Sequence, residues 1–139
     1  WIPIADWRYS LNWVHSPAGE AADEDRPGRI TIGPITVLKL VDQTTPQLIA
    51  RAGEAKPIEE AGIQVTTTPR GAEGARVLNV HLHDVRIISM KRLGTSRFGP
   101  GLEAITLAFD EAVFKYTTYN TRDRRDQERE FRVRQTPLE

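Results

Sequence analysis

The chain contains no cysteine, a single methionine, only 7% aromatic residues and no net charge. Each shortage excludes something. Without cysteine there is no disulfide scaffold, no thiol nucleophile and no zinc site with thiolate ligands, although the compartment stays open. Lys+Arg and Asp+Glu both count 19, giving zero formal charge and a pI near 7.1. That balance argues against a dedicated nucleic-acid binder, whose footprint is a basic excess. It also removes the self-repulsion that keeps highly charged copies apart. No stretch approaches the roughly 18 consecutive apolar residues of a membrane-spanning helix, and no signal-peptide pattern is legible. What remains is 139 residues and 15.7 kDa, the size of one domain with a core of its own.

The apolar pattern is that of strands. Trp7, Tyr9, Leu11 and Trp13 alternate with Asp6, Arg8, Ser10 and Asn12, which predicts one half-buried strand. Ser16 to Gly28 follows as a long acidic loop. Ile30, Ile32, Ile35 and Val37 form a second strand region, interrupted by a bulge or bend at Gly33-Pro34. One helix is predicted, with Thr45 as N-cap, Pro46 at its first position, Leu48, Ile49 and Ala52 as its apolar stripe, and Gly53 at its end. Ile63, Val65 and Thr67 alternate, Pro69 to Gly74 is a turn, and Leu78, Val80 and Leu82 share a face. Beyond Asp84 the apolar parity switches, from Val85 and Ile87 to Ile88 and Met90. This predicts a bulge, or a strand that leaves one sheet for another. After a loop at Gly94 to Gly101 come strands with Ile105, Leu107 and Phe109 and with Val113, Phe114, Tyr116 and Tyr119. Thr121 to Glu130 is expected as a charged hairpin loop and Phe131 to Arg134 as a closing strand. The expected fold class is mainly β, a two-sheet barrel or sandwich with one short flanking helix.

Few residues point to chemistry. His81 and His83, two apart on a strand, present both imidazoles to one side and are weak candidates for a metal. With His15 next to a loop, no third ligand is legible. The bland expectation is no metal, with both histidines on the less apolar face of their strand beside Asn79. Ser10, Ser16, Ser89 and Ser96 lack a nucleophile-elbow context, and Gly71-Ala-Glu-Gly74 lacks the sequel of a phosphate loop. The carboxylate pairs Glu59-Glu60 and Asp110-Glu111 fall at strand starts, where solvated faces are the default. No enzyme, no cofactor and no catalytic residue are expected. Charge says more when mapped along the chain. Glu20, Asp23, Glu24 and Asp25 cluster in one loop, whereas Arg86, Lys91, Arg92 and Arg97 form a stretch with no acid between them. Opposite patches on a neutral chain suit head-to-tail self-contact. Arg122 to Arg134, with six arginines and four acids, is expected to be a salt-bridged hairpin rather than a nucleic-acid site.

The succession of strings resembles the Hcp family, the tube-forming proteins of bacterial type VI secretion. The opening Trp/Tyr alternation is similar to the family's early strand. Residues Arg29 to Leu48 resemble a strand pair followed by an Asp-x-x-(Ser/Thr)-Pro-x-Leu run into the helix, with Asp42, Thr45, Pro46 and Leu48 in those places. Leu78 to Ser89, with Asp84-Val85, resembles the long central strand. Glu103, Ile105, Leu107, Phe109 and Tyr116 match a later strand pair. Phe131 stands where the family often has Trp. The resemblance spans nearly the whole chain and implies one barrel domain over residues 1–139. A family strand expected ahead of Trp1 is missing, from truncation or processing, or so as to leave a sheet edge that another copy covers.

The resemblance further implies homo-hexameric rings that stack into a hollow tube. Spike, contractile sheath and effector proteins would be partners, with no nucleic acid and no membrane insertion. The protein would be made in the bacterial cytoplasm and exported without a cleaved signal peptide. The two charged loops, Ser16–Gly28 and Gly94–Gly101, would carry contacts between subunits or rings. A monomeric β-barrel binding a ligand or metal through His81 and His83, or the tail-tube protein of another contractile particle, are the alternatives.

Overall fold

Nine strands and one helix follow one another along the computed structural model, which describes residues 1–14, 29–68, 74–94, 101–119 and 125–135. They are β1 (Asp6–Arg8), β2 (Leu11–Val14), β3 (Arg29–Ile32), β4 (Ile35–Leu40), α1 (Thr45–Ala52), β5 (Ile58–Thr67), β6 (Arg76–Arg92), β7 (Leu102–Ala108), β8 (Glu111–Tyr119) and β9 (Arg125–Arg134). The expected fold class, mainly β in two sheets with one short helix, is the observed one. The loops expected at Ser16–Gly28 and inside Gly94–Gly101 lie outside the described residues, as does most of the turn at Pro69–Gly74.

The backbone divides into two compact units. The first contains Trp1–Pro57, Arg86–Ala108 and Gln135. In it β1 pairs with β4, β4 with β7, and β7 with the last part of β6, all antiparallel. The pair β2–β3 is a separate two-stranded sheet. Its core holds Ile32, Ile35, Val37, Ile105 and Ala108. The second unit contains Ile58–Val85 and Phe109–Arg134. There the first part of β6 is flanked by β5 and β8, and β8 pairs with β9. Val77, Val80, Leu82, Val85, Phe109, Ala112 and Val133 are its buried side chains.

β6 is continuous through both units, and its irregularities fall where the sequence parity switches. Val80 and Leu82 are buried and so is Val85, so the inward face changes from even to odd in between. The cause is Asp84, which sits at φ 54°, a left-handed conformation that Asp tolerates better than most side chains. A second break follows: Ile87 pairs with Leu107 and Ser89 with Thr106, leaving Ile88 without a partner in the register. The predicted bulge and the predicted change of neighbours both occur. Just before β7 the chain depends on a glycine: Gly101 has φ 104°, and a Cβ there would stand 2.6 Å from the Gly94 carbonyl oxygen.

Three local expectations are corrected. The aromatic opening segment is two strands, β1 and β2, joined at Tyr9-Ser10, because Trp7 registers with Val37 of one sheet and Trp13 with Ile30 of the other. The Trp7 and Tyr9 rings stack at 5.1 Å, but Tyr9, Leu11 and Trp13 are exposed rather than half-buried. The last strand begins at Arg125 rather than Phe131, since its charged residues pair along β8. The N-cap is Thr44, one residue before the expected Thr45, and its side chain makes no cap hydrogen bond.

The Thr45 hydroxyl is used elsewhere. Lys39 lies in phase with Ile35 and Val37 and is 1% exposed. Its ammonium donates to Glu103 Oε1 at 2.6 Å, to Asp42 Oδ1 at 3.1 Å and to the Leu40 carbonyl at 2.8 Å. Thr45 donates to the same Glu103 oxygen at 2.8 Å and accepts from the Asp42 N–H at 3.2 Å. Asp42 also accepts from the hydroxyl and N–H of Thr44. One buried charge pair thus ties β4, β7 and the start of α1 together. The helix has no fully buried residue, so this anchor matters more than its apolar stripe.

Removing one member of a buried ion pair costs roughly 3–5 kcal/mol because the other charge is stranded. Lys39→Met should therefore lower stability by about 3 kcal/mol, and the double change Lys39→Met with Glu103→Leu should recover at least half of it. Urea denaturation of the four members of this cycle measures both quantities. The pH dependence is asymmetric. The Thr44 hydroxyl, then the Thr44 N–H, then Lys39 hold the Asp42 carboxyl down from 3.8 to about 2. Burial pulls the Lys39 ammonium down, but its hydrogen bonds and charge pairing with Glu103 and Asp42 outweigh it and leave the pKa raised above 10.5. A lowered carboxylate contributes stability that is complete above 3.8 and is lost as pH falls through about 2. The raised lysine contributes below 10.5 and fails only as pH rises through its folded value. In urea titrations the stability gap between the natural chain and Asp42→Asn should stay constant from neutrality down to about pH 5 and shrink as pH falls from there to about 2.

Candidate functional site

The end of β6 supplies the described part of the predicted contact surface. Arg86, Lys91 and Arg92 are all exposed, and none has an ion-pair partner among the described residues. Glu20, Asp23, Glu24, Asp25 and Arg97, also expected at contacts, lie outside the described residues. Beside Lys91 and Arg92 is a groove of about 770 Å³ lined by Val41, Ile49, Ile88 and Met90 as well as the two cations. Ile49 on α1 is 57% exposed and Ile88 is 46% exposed. Thr45 and Glu103 also line it, so the buried Lys39 network forms part of its floor.

Sequence reasoning missed these apolar members for a physical reason. By periodicity Ile49 belongs to the apolar stripe of α1 and by parity Ile88 belongs with Met90 on one face of β6. Ile88 is the residue skipped by the β6–β7 register, and a bulged residue is re-aimed out of the pattern that parity assigns to it. The signal was the parity switch itself.

In the second unit His81 and His83 lie where predicted, on the polar face of β6. Their rings are 4.9 Å apart at a 47° tilt. The third residue beside them is Glu60 of β5, which registers opposite His83 and places Oε2 at 3.5 Å from His81 Nε2. A ligand atom from each of the three residues lies within 4.8 Å of the others. In the sequence Glu60 is only half of a carboxylate pair at a strand start, where a solvated face is the default. Its role was recoverable, since pairing outward from the middle of the predicted 69–74 turn sets Glu60 opposite His83. The charged end of the chain is ion-paired as expected: Lys115 meets Glu128 at 2.6 Å, and Arg132 meets Glu130 at 3.0 Å and Glu111 at 3.4 Å.

Comparison with known proteins gives a consistent result. Residues 1–116 match the family model described as type VI secretion system effector, Hcp. Among solved structures, a variant of Hcp1 from Escherichia coli superposes with a TM-score of 0.61 at 16% identity, covering 83% of this chain and 72% of that one. The secreted protein Hcp3 from Pseudomonas aeruginosa gives 0.62 at 12% identity, with 97% and 76% covered. A type VI secretion system effector from Yersinia pestis gives 0.59 at 12% identity, with 96% and 83% covered. Identities this low carry the fold alone. No curated protein sequence matches the chain. Among the described residues no helix is long and apolar enough to cross a membrane.

Proposed function

The chain belongs to the Hcp family of type VI secretion proteins, and on that premise we propose that it is a structural subunit of the secretion tube, forming homo-hexameric rings that stack into a hollow conduit. The observation that carries this reading is the match of residues 1–116 to the family model. The surface supports it. An apolar groove on a domain with no net charge is a surface that favours being covered, and a second copy meets no long-range repulsion in approaching it. Lys91 and Arg92 at the rim would set the orientation of that copy by pairing with acids from it, with the Glu20–Asp25 cluster the richest source on the chain. The role is mechanical rather than catalytic. Spike, sheath and cargo proteins are the heterologous partners it implies, and export from the bacterial cytoplasm without a cleaved signal peptide is the route.

Gel filtration with light scattering, joined to negative-stain imaging, tests this reading. Rings of six chains are expected at high protein concentration; a population of monomers alone would overturn the proposal. Reversing Asp23, Glu24 and Asp25 to Lys should shorten or abolish stacks while leaving single chains folded. The loss should be greatest at low salt, where screening is weakest. Stacks of unchanged length would remove the acidic loop from the interface.

A further inference from the structure

We propose that Glu60, His81 and His83 form a surface site for a divalent transition-metal ion, with Zn²⁺ as the expected occupant. The inference is independent of ring assembly and rests on how the β5–β6 pair is built. Two histidines separated by one residue on a strand lie on the same face. The antiparallel register sets Glu60 directly across from His83 and Gly62 across from His81. Opposite the second histidine there is thus no side chain, and Glu60 is free to lean along the strand toward it. It does so, reaching His81 Nε2 at 3.5 Å.

Zn²⁺ binds imidazole nitrogen and carboxylate oxygen at about 2.0–2.2 Å, which places tetrahedral ligand atoms about 3.3 Å apart. The Glu60–His81 pair already has nearly that spacing. The wider separations within the cluster, all under 4.8 Å, close by side-chain rotation. These rotations are unhindered at Glu60 and His81, which are 64% and 47% exposed. Two imidazoles and one carboxylate are a donor set for zinc, cobalt, nickel or copper rather than for magnesium or calcium, which take oxygen ligands. Three protein ligands leave at least one position for water. A pocket of about 390 Å³ beside the two rings gives it room.

The surrounding charges permit the ion. On β8 the register sets Glu111 opposite His83 and Val113 opposite His81, with Lys115 one step along opposite Asn79, and beyond them on β9 come Arg134, Arg132 and Glu130. Lys115 is held by Glu128, and Arg132 by Glu130 and Glu111, so these two cations are engaged, Arg134 stands one strand further off behind Glu111, and Glu60 is left to the imidazoles. Occupancy would clamp β5 to β6. That matters because β6 is the only strand with which β5 pairs among the described residues, and the ion would cross-link it through side chains as well as backbone.

The test uses the tag-free chain, titrated calorimetrically with Zn²⁺ and followed separately by the visible absorption of Co²⁺. One ion per chain is expected. His81→Ala and His83→Ala should each weaken binding at least about tenfold, the loss that outer partners of a metal site alone can cause. Glu60→Gln should weaken it less, and the double histidine change should abolish the Co²⁺ spectrum. His15→Ala, which removes the remaining histidine, should leave binding unchanged. Circular dichroism reports folding, and His81→Gln with His83→Gln serves if the alanine pair does not fold. No heat and no Co²⁺ spectrum at about 1 mM metal, or binding that survives the double histidine change, would overturn the site.

Discussion

The pairing of Lys39 with Glu103 is the interaction on which the first unit is organised. Both residues lie on the inward parity of their strands, and the β4–β7 register sets them directly opposite. Few places in a small core accept a charge, because its desolvation must be matched by hydrogen bonds as well as by a counter-charge. Here the match is complete: among the described residues no buried side-chain nitrogen or oxygen lacks a partner. The geometry that achieves it also fixes the chain path. Asp42 and Thr45 reach the pair only if the segment after β4 turns at once into α1. A short amphipathic helix with no fully buried side chain is thereby held in place by polar contacts at its first turn. An all-apolar pair at the same positions could be as stable, but would leave that turn undirected.

A second constraint is the course of β6. An uninterrupted strand of 17 residues would present one fixed parity inward. This one presents two, because Asp84 adopts a left-handed conformation and Ile88 drops out of the register. The same backbone therefore serves β5 and β8 over its first part and β7 over its last. It also delivers different chemistry on the way. Before Asp84 the outward residues are His81 and His83; after it they include Arg86, Ile88, Lys91 and Arg92. The two surfaces of interest are consequences of irregularities in one strand.

These features were unequally legible in the sequence. Parity exposed the β6 irregularity, and Thr-Pro followed later by Gly exposed α1, because both signals are local. Lys39 was invisible for the opposite reason: a lysine in phase with Ile35 and Val37 reads as a break in the pattern unless Glu103, 64 residues away, is known to face it. The aromatic segment misled because alternation reports which residues share a face, not whether the strand stays with one partner. Between Trp7 and Trp13 it changes from β4 to β3 with its phase intact. Glu60 lies between these cases. Hairpin arithmetic from the 69–74 turn is enough to place it opposite His83, but nothing in the strand pattern makes a carboxylate at that position more than a solvated one.

The low identity to solved Hcp structures bears on how the surface is to be read. At 11–16% identity with TM-scores of 0.61–0.66 for the first four, what these chains share is the order of strands rather than particular side chains. A strand frame specified by parity and register leaves its outward positions free, and one frame serves different contacts on different chains. The contacts of this protein must therefore be argued from its own outward residues. Neutral overall charge means that two copies meet no net repulsion, so any orientation between them has to come from local features, namely how charge and apolar area are distributed on the surface. Those on hand are an apolar groove with two cations at its rim. That combination defines a direction on the surface, which apolar area alone would not.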